Sequence, residues 1–145
     1  MLSERLSTLR ACSHALLASD DVPRMTRFFR HAFGLAPHYE NDLFAEFVLP
    51  SGFRLAFFKP VGASARTFHA TADRGGCALG VTVTEVDEVY RALSESTSDL
   101  GIQLSGPPKE HPWGEKSFLL IDPDGNRWEV AKAPSASGML TDLPS

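Results

Sequence analysis

Asp122-Pro123-Asp124-Gly125-Asn126 stands between two short apolar runs, Ser117–Ile121 (SFLLI) and Arg127–Ala131 (RWEVA). The ring of Pro123 sets φ for the first central position of a type I turn, and Gly125 accepts the left-handed position that follows. The stretch therefore reads as a tight hairpin joining two strands. Taken alone it carries no function, because a turn of this chemistry commonly does no more than shape a hairpin.

Reading back from that hairpin, Ala78–Val83 (ALGVTV) is a strand, and Thr84 is placed to cap a helix. Asp87 follows three residues later, where a capping box prefers Glu or Gln. Val86, Val89, Tyr90 and Leu93 mark one apolar helical face, which fades in the Ser-rich 94–98 and ends near Gly101. The first half repeats this order. Cys12–Ser19 (CSHALLAS) is long enough for one strand, Asp20 and Asp21 sit where a cap belongs, and Pro23 falls in the first turn. Val22, Met25, Phe28, Phe29 and Ala32 then recur at helical spacing over 21–33, with Gly34 as the stop. Tyr39–Leu49, containing FAEFVL, and Phe53–Phe58 (FRLAFF) form a second hairpin around Pro50-Ser51-Gly52.

The repeat, at a period of about 65 residues, is a duplication. The expected organisation is one α+β domain over 1–145, with unit one at about 10–60 and unit two at about 76–133. Residues 61–75 are the connection, 134–145 a loose Ser/Pro/Gly-rich tail, and 1–9 a short helical lead-in.

Composition narrows the functional classes. A net charge of −4 without any Lys/Arg cluster leaves nucleic-acid binding without its electrostatic source. No apolar run is long enough to span a membrane or to serve as a secretory signal. Cys12 and Cys77 are expected to be free thiols of a cytoplasmic protein, inert rather than nucleophilic.

The pattern His14…Asp21-Val-Pro-Arg-x3-Phe28-Phe29-Arg-x2-Phe33-Gly-Leu35 resembles the opening of the glyoxalase / bleomycin-resistance / extradiol-dioxygenase group, the vicinal oxygen chelate superfamily. Pro112-Trp113-Gly114…Asp122-Pro-Asp-Gly-Asn-x-Trp128-Glu129 resembles the closing signature of the same group. The likeness spans about residues 10–133. It implies two βαβββ units, each a half-barrel with its helix outside, around a shared cavity that holds substrate, drug or metal. It also implies a homodimer.

Metal-using members of the group draw ligands from four strand positions. His14 falls in the first-strand slot and Glu129 in the last, while the two middle slots hold Ala56 and Ala78, which coordinate nothing. Anchoring on Ser19-Asp20 instead puts Ser13 in the first slot and turns His14 outward. His69, Cys77, Glu110 and His111 lie near the ends of unit two as possible substitutes, although a one-residue shift turns Cys77 to the opposite face. Structural roles stand beside these: His14 as a buried, hydrogen-bonded ring, Glu129 in an ion pair with a residue such as Arg54, and Trp113 as a cover on the cavity mouth or a stacking surface. Phe57, Phe118 and Trp128 are expected in the core.

The leading expectation is a small-molecule binding protein for an aromatic or amphipathic ligand, with no cofactor. His14, Arg54, Ala56, Ala78, Trp113 and Glu129 would line its site, with Gly80 and Thr82 leaving room. The alternative is a metal-dependent lyase, isomerase or extradiol dioxygenase with a divalent metal on His14 and Glu129. A cofactor-free enzyme using either residue as general base, or a module that mainly assembles with partners, also remains open.

Overall fold

The computed structural model describes residues 9–69 and 76–132. The helical lead-in falls almost wholly, and the tail wholly, outside the described residues. The elements are β1 (His14–Ala18), α1 (Val22–Phe33), β2 (Tyr39–Glu40), β3 (Phe44–Val48), β4 (Arg54–Phe58), β5 (Ala78–Val83), α2 (Val86–Ser94), α3 (Thr97–Leu100), β6 (Gln103–Glu110), β7 (Lys116–Ile121) and β8 (Arg127–Lys132). A 3₁₀ turn, Gly62–Arg66, occupies part of the connection.

The strands form two four-stranded sheets, ordered β1-β4-β3-β2 and β5-β8-β7-β6. In each, the strand before the helix pairs parallel with the last strand of its unit, and the other pairs are antiparallel. This is the duplicated βαβββ order expected from the sequence. No helix among the described residues is long and apolar enough to cross a membrane.

Local chemistry explains the helix limits. The Asp21 carboxylate accepts the Arg24 N–H at 3.1 Å, and Gly34, at φ 71°, closes α1 by donating its N–H to the Arg30 carbonyl at 2.8 Å. The second cap differs from expectation. Glu85, not Thr84, flanks α2, and no side chain caps it. Asp87 and Glu88 in the first turn supply the negative charge that the helix N-terminus favours.

Sequence reasoning missed β6, because QLSGPPKE hides a strand behind Gly106-Pro107-Pro108. The strand lies at a sheet edge, where prolines are tolerated, and its register shifts between Ser105 and Lys109. Gly106 is required by packing: a Cβ there would come 2.7 Å from Tyr90 Cε1.

The two units share one core. Phe28, Phe29 and Phe33 of α1 place their rings 6.2, 5.7 and 6.2 Å from that of Trp128 on β8. Phe29 also meets Phe47 at 4.7 Å and Phe57 at 6.2 Å within its own unit. Helix α1 therefore packs on the sheets of both units. Phe57, Phe118 and Trp128 are buried, as the sequence implied.

Candidate functional site

Strand alternation assigns a face to each side chain. Ala45, Phe47, Leu55 and Phe57 are buried in the core beside α1. The other face of the first sheet carries His14, Leu16, Glu46, Arg54 and Ala56, drawn together by register. His14 pairs with Arg54, Leu16 with Ala56, and Glu46 with Ala56 across the neighbouring strand. His14, Glu46, Arg54 and Ala56 border a cavity of about 230 Å³.

Arg54 and Glu46 form the strongest polar contact of this face. Arg54 Nη2 donates to Glu46 Oε1 at 2.7 Å. The Glu46 side chain keeps 16% of its surface exposed and Arg54 54%, so the carboxylate is tucked in and the guanidinium stands outward. That hydrogen bond, reinforced by the charge of Glu46, raises the Arg54 pKa above its ordinary value. The expected Arg54–Glu129 pair gives way to Arg54–Glu46, because Glu46 lies on the adjoining strand of the same sheet. Glu46 was legible in FAEFVL: it alternates with the buried Ala45 and Phe47 and so must share the face of Arg54.

His14 is exposed rather than buried, and Ser13 Oγ lies 2.8 Å from its Nδ1. The ring Nε2 makes no hydrogen bond to a described residue.

In the second sheet the same face carries Ala78, Gly80 and Thr82 of β5, Arg127 and Glu129 of β8, and Leu119 of β7. Gly80 and Leu119 flank Glu129 in register, and neither offers a polar side chain. Glu129 is half-buried and makes no side-chain hydrogen bond within the described residues. Ala78, Gly80 and Thr82 are exposed, and a Cβ at Gly80 would meet nothing within 4 Å. Where the units adjoin, Leu16, Ala18, Phe68, Cys77, Leu79 and Arg127 border a cleft of about 370 Å³.

The proposed substitute ligands do not converge. His69 and Cys77 reach the cleft between the units, whereas Glu110 ends β6 and His111 lies just beyond it. The His111 ring is held by Ser117 Oγ at 2.8 Å and stacks on Trp113 at 4.7 Å with the planes 3° apart. Trp113 is 66% exposed at the β6–β7 turn. Ala56 and Ala78 occupy the two middle slots, and among the described residues no three His, Cys, Asp or Glu side chains gather to hold a metal ion. The described residues do not fit a divalent centre.

The Asp122 hairpin positions β8 and hence Glu129. Asp122 is buried, and its carboxylate accepts the N–H groups of Asp124 and Asn126, each at 2.9 Å. It also accepts Asn126 Nδ2 and Trp128 Nε1, each at 2.8 Å. Arg24 of α1 donates to Asp124 Oδ1 at 3.1 Å, tying the hairpin to unit one. Asp124 Oδ2 is buried without a hydrogen bond. Burial raises the Asp124 pKa, with Asp122 adding to the effect, and Ser19 and Arg24 oppose it only in part.

Comparison with known proteins agrees with this architecture. Residues 11–130 match the family model described as Glyoxalase/Bleomycin resistance protein/Dioxygenase superfamily. A glyoxalase-related enzyme from Fulvimarina pelagi is similar in structure, with a TM-score of 0.70 and 28% identity over 86% of this chain and 89% of that one. Protein ATC0852 from Agrobacterium tumefaciens gives 0.67 and 24% over 86% and 98%, which shows the fold alone. A glyoxalase/bleomycin resistance protein/dioxygenase from Nocardioides gives 0.65 and 20% over 92% and 95%, again the fold alone. No curated protein matches the chain. The duplicated βαβββ units, the shared core and the match over residues 11–130 together place this chain in the glyoxalase/bleomycin resistance protein/dioxygenase superfamily.

Proposed function

We propose that the chain binds a small aromatic or amphipathic molecule against the helix-opposed faces of its sheets, without a complete metal centre and without another cofactor. The observation that carries this reading is the unfilled second face: Ala78 and Gly80 form an open floor beside a half-buried Glu129 that has no described partner. Leu119 on that face and Leu16 on the matching face of the first sheet, 43% and 50% exposed, give apolar surface for a ligand to cover. His14, Arg54 and Glu129 orient its polar groups, Ala56 leaves space in unit one, and the exposed Trp113, stacked on His111, offers a further aromatic surface. With alanine at two of the four ligand positions, a metal-dependent lyase, isomerase or dioxygenase would have to work from His14 and Glu129 alone.

A homodimer belongs to the same reading. The exposed Tyr39, Leu43 and Val61 are apolar surface that a second copy would cover. The cytoplasm is the proposed compartment, in keeping with two unpaired cysteines.

Titration with 1-naphthamide, a neutral planar probe, followed by amide NMR shifts, tests the binding site. Shifts confined to Leu16, Gly80, Leu119 and their neighbours are expected. Shifts only elsewhere, or none at millimolar probe, would overturn the reading.

A further inference from the structure

The proposed ligand site has unlike ends. In unit one, His14 and Arg54 are register partners on adjacent strands, so both side chains leave the same edge of the same face. Glu46 holds one Nη of Arg54 at 2.7 Å from the inner side. The pair is thus a dipole with its carboxylate in and its guanidinium out, and the other N–H groups of Arg54, which borders the cavity, have no partner among the described residues. If Ser13 donates to His14 Nδ1, the ring Nε2–H is a further donor beside Arg54. The cavity they border, about 230 Å³, admits a head group rather than a whole ligand. In unit two, Arg127 stands at the register position of Arg54, but Ala78 replaces His14 and Glu129 replaces Ala56, so a carboxylate acceptor stands over the open floor of Gly80.

We infer that unit one is an oxyanion subsite: Arg54 and His14 receive a carboxylate or similar anionic group of the ligand, and Glu46 positions Arg54 for it. The inference rests on the proposed small-molecule reading and deepens it. The ligand class is a planar or amphipathic molecule bearing an anionic end. A guanidinium fixed on one edge loses less freedom on meeting a carboxylate than a free one. Glu46 touches no ligand in this arrangement and is a positioning residue.

Two isosteric probes, 1-naphthoate and neutral 1-naphthamide, test this by NMR or calorimetric titration at low salt. The wild type is expected to bind naphthoate about tenfold more tightly than naphthamide, as charge-assisted hydrogen bonds require. Arg54→Met should erase that preference, so that naphthoate and naphthamide bind the variant alike, with folding checked by its spectrum. Equal affinity for both probes in the wild type, or a preference that survives Arg54→Met, would overturn the oxyanion subsite while sparing the small-molecule reading. Failure of both probes to bind would remove both.

Discussion

The two units close their last strand pairs with turns of the same place and opposite character. In unit one, Pro50-Ser51-Gly52 is a solvent-facing turn held by backbone bonds, Gly52 N–H to the Leu49 carbonyl and Leu49 N–H to the Phe53 carbonyl, both 2.8 Å, and by an exposed bond from the Phe53 N–H to Ser51 Oγ at 3.3 Å. In unit two, the Asp122 carboxylate is buried and gathers four N–H donors, one of them the indole of the core residue Trp128. The same strand topology therefore needs no buried polar anchor by itself. The anchor appears where the turn is pressed against the other unit and water cannot satisfy its amides.

Substitution of the two turns should separate them sharply. Asp122→Ala strands several buried donors and is expected to lower stability by about 3 kcal/mol or more, whereas Ser51→Ala should change it by less than about 0.5 kcal/mol. Denaturant unfolding of both variants checks this, and comparable losses would break the contrast.

A smaller effect concerns the neighbouring carboxyl. Burial holds the Asp124 pKa above its ordinary value, so the folded chain binds this proton more tightly than the unfolded chain does. Its contribution to stability is full below the unfolded carboxylate pKa and is lost as pH rises through the raised folded value. Asp124→Asn removes that titration and keeps an oxygen for Arg24. The stability difference, wild type minus variant, should therefore grow as pH falls from neutral into the ordinary carboxylate range. A flat or shrinking difference would show that Asp124 does not titrate as its burial implies.

The sequence made the duplication legible because each unit writes its own punctuation. Asp21 and Gly34 bound α1, and the apolar spacing of Val22, Met25, Phe28 and Phe29 names the face it buries. Strand β6 was hidden because Pro107 and Pro108 are compatible with an edge strand but look like a breaker in one dimension. The cap at Thr84 failed by one residue, a shift that pattern reading does not resolve. For the site, His14, Arg54, Ala56, Ala78 and Glu129 could be placed on faces from alternation, yet the Arg54–Glu46 pair needed strand order. Sequence order does not tell that β4 lies between β1 and β3, which is what puts His14 as well as Glu46 beside Arg54, the latter alone following from the β3–β4 hairpin. The sharing of α1 between both sheets was likewise invisible, since nothing in Phe28 or Phe29 announces a partner in β8.

The same asymmetry between units runs through the site: unit one supplies His14 and unit two Glu129, while Ala56 and Ala78 leave the remaining slots without donors. Metal analysis of protein purified without chelator or affinity-tag metal tests this most directly. The account predicts far less than one transition metal per chain, unchanged by His14→Ala or Glu129→Ala. About one metal per chain, lost in either variant, would contradict it.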